Sequence, residues 1–166
     1  MHIRPERAED AEAIGEVTIA AFNTLPISRH TEQFIIRDLR ADGALTLSLV
    51  AEIEGRIVGH IAFSPVTFSD GSAGWYGLGP VSVLPELHGK GIGSALIHQG
   101  LSGIRGLGAK GCALVGEPGY YGRFGFRNYP QMVHEGIPQE VFLALPFAKE
   151  VPRGAVQFHE AFLAES

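Results

Sequence analysis

Residues Val81–Ile97, "VSVLPELHGKGIGSALI", set Gly89, Lys90, Gly91 and Gly93 between two apolar runs. That order predicts a strand passing into a helix, with the glycine-rich loop at the junction. Such a junction gathers unpaired N–H groups and the positive end of a helix in one place, which suits a phosphate. Two common phosphate loops do not fit. A Walker loop needs Ser or Thr after Gly-Lys and a glycine five residues earlier, where this chain has Gly91 and Leu84. A dinucleotide fingerprint begun at Gly89 or Gly91 ends on Ser94 or Leu96 instead of glycine.

Upstream of the loop, Trp75 to Val83 reads as a strand, yet it contains Gly77, Gly79 and Pro80. A central strand does not accept these unless its ladder is broken by a bulge. Before it, "LTLSLVAEIEGRIVGHIAFSPV" alternates on both sides of Glu54-Gly55 and predicts a hairpin, Leu47 to Ile53 with Arg56 to Val66. The chain opens with a short strand near Ile3. A helix follows Asp10 with Ile14, Val17, Ile19, Ala21 and Phe22 mostly on one face, and a second runs from a capping Thr31 to Gly43. Downstream, a helix from Gly91 to Leu107 buries Ile92, Ala95, Leu96 and Ile104. Its Gly100, Gly103 and Gly106 each cost on the order of 1 kcal/mol against alanine, so packing must override propensity there. "CALVGEP", "VFLALPF" and "AVQFHEAF" predict three more strands.

Composition bounds the function. The 166 residues, 45% hydrophobic and 19% charged, predict one domain, 1–166, with a sizeable core. A net charge of −5 with scattered Lys and Arg argues against nucleic acid. The single cysteine, Cys112, has no partner for an internal disulfide, and the seven histidines show no zinc spacing, so no metal is implied. The charged start lacks a signal-peptide core and no run of about 18 apolar residues occurs, so a cytoplasmic protein with no membrane partner is expected.

"HGKGIG" also satisfies a third phosphate pattern, Gln/Arg-x-x-Gly-x-Gly/Ala, with His88 in the first place. Here the chain resembles the GNAT superfamily of N-acetyltransferases, which hold the pyrophosphate of coenzyme A on this loop. "GLGPVSVLPELHG" before it and "GYYGRFGF" after it, similar to the family's Tyr-x-x-x-Gly-Phe, carry the same resemblance, which spans about Ile3 to Tyr129. It implies a GNAT-like α/β domain with a mixed, mainly antiparallel sheet, splayed central strands and helices on both faces. It implies acetyl-CoA as cosubstrate: the pantetheine arm along the backbone of Val81, Ser82 and Val83, and the pyrophosphate over His88, Gly89, Lys90, Gly91, Ile92, Gly93 and Ser94. The broken ladder at Gly79-Pro80 then frees a strand edge for the arm to join.

Counting back from Gly125-Phe126, the resemblance places the acid that protonates the leaving thiolate at Tyr121, with Tyr120 as its rival. Tyr121 as a plain core aromatic is the bland alternative. The glutamate that many relatives carry on the fourth strand has no counterpart in Trp75 to Val83. Glu117 is a candidate base in its stead, as is a relay of water and backbone carbonyls. The expected activity is transfer of acetyl from acetyl-CoA to a primary amine, on a small molecule or a peptide. The rival is a non-catalytic acyl-CoA-binding or regulatory module. A homodimer stays open, and the acceptor has no motif.

Overall fold

The computed structural model describes residues 1–166, and its backbone is organised by an eight-stranded sheet. Strand β1 (His2–Pro5) is followed by helices α1 (Ala11–Phe22) and α2 (Glu32–Ala41), then by β2 (Leu47–Ile53), β3 (Arg56–Phe68) and β4 (Trp75–Val83). Helix α3 (Ile92–Gly106) leads to β5 (Gly111–Val115) and the single-turn helix α4 (Pro118–Tyr121), after which come β6 (Met132–Val133), β7 (Phe142–Pro146) and β8 (Gly154–Phe158). The spatial order is β1-β2-β3-β4-β5-β7, with β8 against β3 and β6. Only β4–β5 and β6–β8 are parallel. The β4–β5 pair is parallel because α3 returns the chain to the end from which β4 set out.

Helices cover both faces. Val50 packs with Ile14 of α1 and Ile36 of α2. The opposite face, where side chains alternate out of the strands, presents Leu47, Ile61 and Phe63 to α3. The glycines of α3 answer to that contact. A Cβ on Gly100 would collide with the Phe63 ring, and one on Gly103 would stand 2.7 Å from Leu47 Cδ2. Gly106 has nothing within 4 Å, so close packing does not account for it. Buried Arg4 ties β1 to the turn that leads into α1 and to β2, its guanidinium 2.7 Å from Asp10 and 3.0 Å from Glu52.

Several local expectations shift. In α1 the buried positions are Ile14, Val17, Thr18 and Ala21, while Ile19 is half exposed. Thr18 goes inside because its hydroxyl donates to the Ile14 carbonyl at 2.7 Å, which removes the cost of burying it. Thr31 precedes α2 without capping it by its side chain; its carbonyl accepts from the N–H groups of Phe34 and Ile35. The hairpin turns at Glu54 and Gly55, both at positive φ (50° and 79°), as a tight two-residue turn requires. β3 runs past Val66 to Phe68 because β8 pairs with it there. β8 stops at Phe158, where His159 Nδ1 accepts from the Ala161 N–H and turns the chain. No helix is long and apolar enough to cross a membrane.

The central strands part company. β4 and β5 pair only at Trp75–Gly77 with Gly111–Ala113. Beyond that, β4 stays with β3, Val81 to Val83 lying opposite Ile61 to Gly59. β5 stays with β7, Leu114 and Val115 lying opposite Leu143 and Phe142. Between Leu78 and Val81 the step on β4 is one residue longer than the facing step on β3, from Phe63 to Ile61. This is a bulge at Gly79-Pro80, where proline has no N–H to give to a ladder.

Candidate active site

The split leaves one edge of β4 without a strand partner from Val81 to Val83. The Leu84 N–H donates to the Val58 carbonyl on β3 at 2.9 Å. By the alternation of a strand, Ser82 also turns its main chain toward β3, and Val81 and Val83 turn theirs into the split. Ser82 is buried opposite His60, its hydroxyl without a hydrogen-bond partner. Of the three residues expected to meet a pantetheine arm, the structure therefore presents the backbone of two.

The loop closes one end of the split. Gly89 and Gly91 sit at φ 78° and 83°, a region L side chains avoid, so glycine is needed at both. The first intrahelical bond of α3 runs from Ala95 N–H to Gly91 O. The N–H groups of Ile92, Gly93 and Ser94 thus have no partner within the helix, and these residues line a cleft of about 600 Å³ together with Val81 and Val83. His88 lies on its rim, its Nε2 2.9 Å from the Val83 carbonyl. A carbonyl only accepts, so Nε2 carries the proton. Lys90 is exposed and does not line the cleft. Arg123 does line it, 4.6 Å above the Tyr120 ring. The sequence reading missed Arg123, although it lies within the segment that carried the resemblance.

Tyr120 and Tyr121 have different places. The Tyr120 hydroxyl lies 3.6 Å from where a Cβ on Gly93 would stand, at the loop end of the cleft. Tyr121 packs its ring against Gly116, where a Cβ would come within 2.5 Å of it. It also borders a second cleft, of about 470 Å³, on the far side of the bulge. Phe22, Leu25, Val81 and Tyr121 line both clefts and so mark their junction. Burial, and to a lesser degree Tyr120, pushes the Tyr121 phenol up to about 12.

Glu117 is not brought to either cleft. It is exposed and caps α4, accepting from the Gly119 N–H at 3.2 Å. The carboxylate that does border the second cleft is Glu32 at the start of α2, and His134 lines the same cleft. Nothing in the local sequence of either residue signals this; the fold brings them together.

Two clefts that share lining residues, with free N–H groups in one and a half-buried phenol common to both, suit the transfer of a group between two substrates. Comparison with known proteins names the class. The profile of the Acetyltransferase (GNAT) family matches residues 12–126, and the chain belongs to that family. It is similar to YhbS, an uncharacterized N-acetyltransferase of Escherichia coli, with 35% identity over 127 residues, 76% of this chain and 73% of that one. Among solved structures, a GNAT family acetyltransferase from Brucella melitensis in complex with acetyl-CoA is 51% identical, with a TM-score of 0.87 over 97% of both chains. E. coli YhbS in complex with CoA gives a TM-score of 0.89 at 29% identity, over 99% of this chain and 93% of that one.

Proposed function

We propose that the chain transfers the acetyl group of acetyl-CoA to a primary amine, with the donor in the loop-side cleft and the acceptor in the cleft beyond the bulge. The observation that carries this is the meeting of the two clefts at Val81 and Tyr121. The pantetheine arm, a chain of amide donors and acceptors, pairs with the main chain of Val81 and Val83 as an added strand would. The pyrophosphate lies over the N–H groups of Gly89 to Ser94, where two left-handed glycines permit close approach. Arg123 and Lys90 supply positive charge nearby, and His88 holds the loop to the strand end. Both similar structures named above hold this donor or its product.

At the junction the amine attacks the thioester carbonyl, and the sulfur leaves as its bond to that carbon breaks. Tyr121 donates its phenolic proton toward the sulfur. A phenol raised to about 12 is a weaker acid than free tyrosine. The same burial raises the pKa of a thiol formed beside it, so the gap between the two does not widen by the phenol's full shift. Glu117 is occupied as a helix cap on the exposed side. The proton of the incoming ammonium therefore leaves through water and the backbone carbonyls at the bulge.

The test is release of free coenzyme A thiol from acetyl-CoA with a panel of amines, with the acetylated product identified by mass. Amine-dependent release with one acetyl gained per thiol supports the assignment. Tight acetyl-CoA binding with no release for any amine would make the chain a binding module instead, a reading that the absence of a carboxylate from β4 favours.

A further inference from the structure

The second cleft is walled by the rings of Phe22, Phe158 and Phe162, and Glu32 is the one residue with a formal charge on its lining, with neither Lys nor Arg among the lining residues. The aromatic wall is built as a stack: His134 lies parallel to Phe158 with centroids 5.4 Å apart and planes at 21°, and Phe162 meets Phe158 edge-on at 5.3 Å. Glu32 is set in place beforehand. The Ser28 hydroxyl lies 2.8 and 2.9 Å from its two oxygens, while accepting from the His30 N–H at 2.9 Å. One hydroxyl proton leaves most of the four lone-pair positions of a carboxylate unused.

We infer that the acceptor is a primary amine on a short linker to an apolar body of aromatic size, free of anionic groups, with Glu32 as the counter-charge that draws in its ammonium. This rests on the acetyltransferase assignment above. An amino acid or a phosphorylated amine would bring an anion to a cleft that holds an anion and no cation, and the unpaired charge would exclude it. An amino sugar with several ammonium groups would find one carboxylate and a wall of rings that offers nothing to its hydroxyls. An aromatic body, by contrast, has ring faces and edges to pack against at Phe158 and Phe162. Glu32 is assigned to acceptor choice and not to the bond-making step, because it stands at the start of α2 and does not line the donor cleft.

The test compares matched probes in the thiol-release assay on the full chain. 2-Phenylethylamine and phenylalanine share ring, linker and amine and differ by one carboxylate; kanamycin supplies several amines without an apolar body. The expected result is a kcat/KM for 2-phenylethylamine at least about 100-fold above the other two. Glu32→Gln should raise KM for 2-phenylethylamine roughly 10-fold, with a smaller change in kcat and unchanged acetyl-CoA affinity. Glu32→Lys should shift the preference toward phenylalanine. Ser28→Ala, which removes the loop contact and keeps the charge, should leave the preference in place, as a purely structural role for Glu32 would not. If phenylalanine or kanamycin is the better acceptor, or if Glu32→Gln leaves selectivity intact, the acceptor class is wrong while acetyl transfer stands. If acetyl-CoA binds but no amine in the panel releases thiol, transfer itself fails and the acceptor class falls with it.

Discussion

His88 Nε2 lies 2.9 Å from the Val83 carbonyl oxygen, so one side chain ties the glycine-rich loop to the last residue of the strand it follows. Loop and strand edge are the two surfaces assigned to coenzyme A, and this bond sets their spacing. His88→Ala should weaken acetyl-CoA binding by roughly 3- to 10-fold, the value of one hydrogen bond, with kcat little changed. His88→Gln, which restores an N–H donor and the residue of the family pattern, should recover most of the loss. Calorimetry reads both, and equal affinities for wild type and His88→Ala would remove this role.

Tyr121→Phe keeps the ring against Gly116 and removes the hydroxyl, so kcat should fall by roughly 10²-fold or more with a much smaller change in cofactor affinity. Tyr120→Phe, at the loop end of the cleft, should act on KM for acetyl-CoA and spare kcat. A reversed pattern would place the acid on Tyr120; full activity in both variants would mean that the thiolate leaves unaided.

Because burial pushes the Tyr121 phenol up to about 12, its protonated form should be lost only as pH rises through that value. The rate should therefore climb as the acceptor ammonium loses its proton and show no falling limb below about pH 10, where an ordinary tyrosine would ionise. A decline in kcat centred near pH 8 to 9, absent from Tyr121→Phe, would contradict this.

His60 is fully buried with its Nε2 2.7 Å from Ser48 Oγ, and the Ser48 hydroxyl hydrogen-bonds Glu6, which pairs with Arg40 at 2.9 Å. Desolvation lowers its pKa to about 4; the Glu6 charge opposes that shift and the Arg40 charge adds to it. With a folded value below the unfolded value of 6.5, the neutral ring's contribution is complete above pH 6.5 and is lost as pH falls toward 4. The loss amounts to about 3 kcal/mol. Asp10 and Glu6, both held below their ordinary values, add losses only beneath 4.5. Urea unfolding between pH 4.5 and 6.5 should show a slope that His60→Gln flattens; the same slope in the variant would contradict it.

Gly100 tests the close approach of α3 to the sheet. Gly100→Ala adds a methyl group that meets the Phe63 ring and should cost about 1 to 3 kcal/mol, although alanine is the better helix former. Gly106→Ala, with open space around it, should stabilise instead. Thermal melts of the two variants moving in the same direction would refute the packing explanation.

What was legible in the sequence is what short-range pattern controls. The Glu54-Gly55 turn, the break at Gly79-Pro80 and the helix opening after Gly91 each announce themselves within a few residues. Ile19 departs from the helical spacing of Ile14, Val17 and Ala21 and faces out, and Thr18 goes inside by bonding its own helix. The two-residue β6 is too short for any periodicity to show. The second cleft was illegible for a different reason. Phe22, Glu32, Tyr121, His134 and Phe162 come from five separate segments, and only the tertiary fold brings them to one place. Glu117 looked available as a base because a carboxylate after a strand has no sequence mark that separates a helix cap from a site residue.

The most direct measurement is a crystal structure with coenzyme A bound. It should show a pantetheine amide hydrogen-bonded to the main chain of Val81 or Val83 and the pyrophosphate over the N–H groups of Gly89 to Ser94. The sulfur should lie within about 3.5 Å of Tyr121 Oη, at the mouth of the second cleft. An arm laid along any other edge of the sheet, or a sulfur remote from Tyr121, would contradict the account.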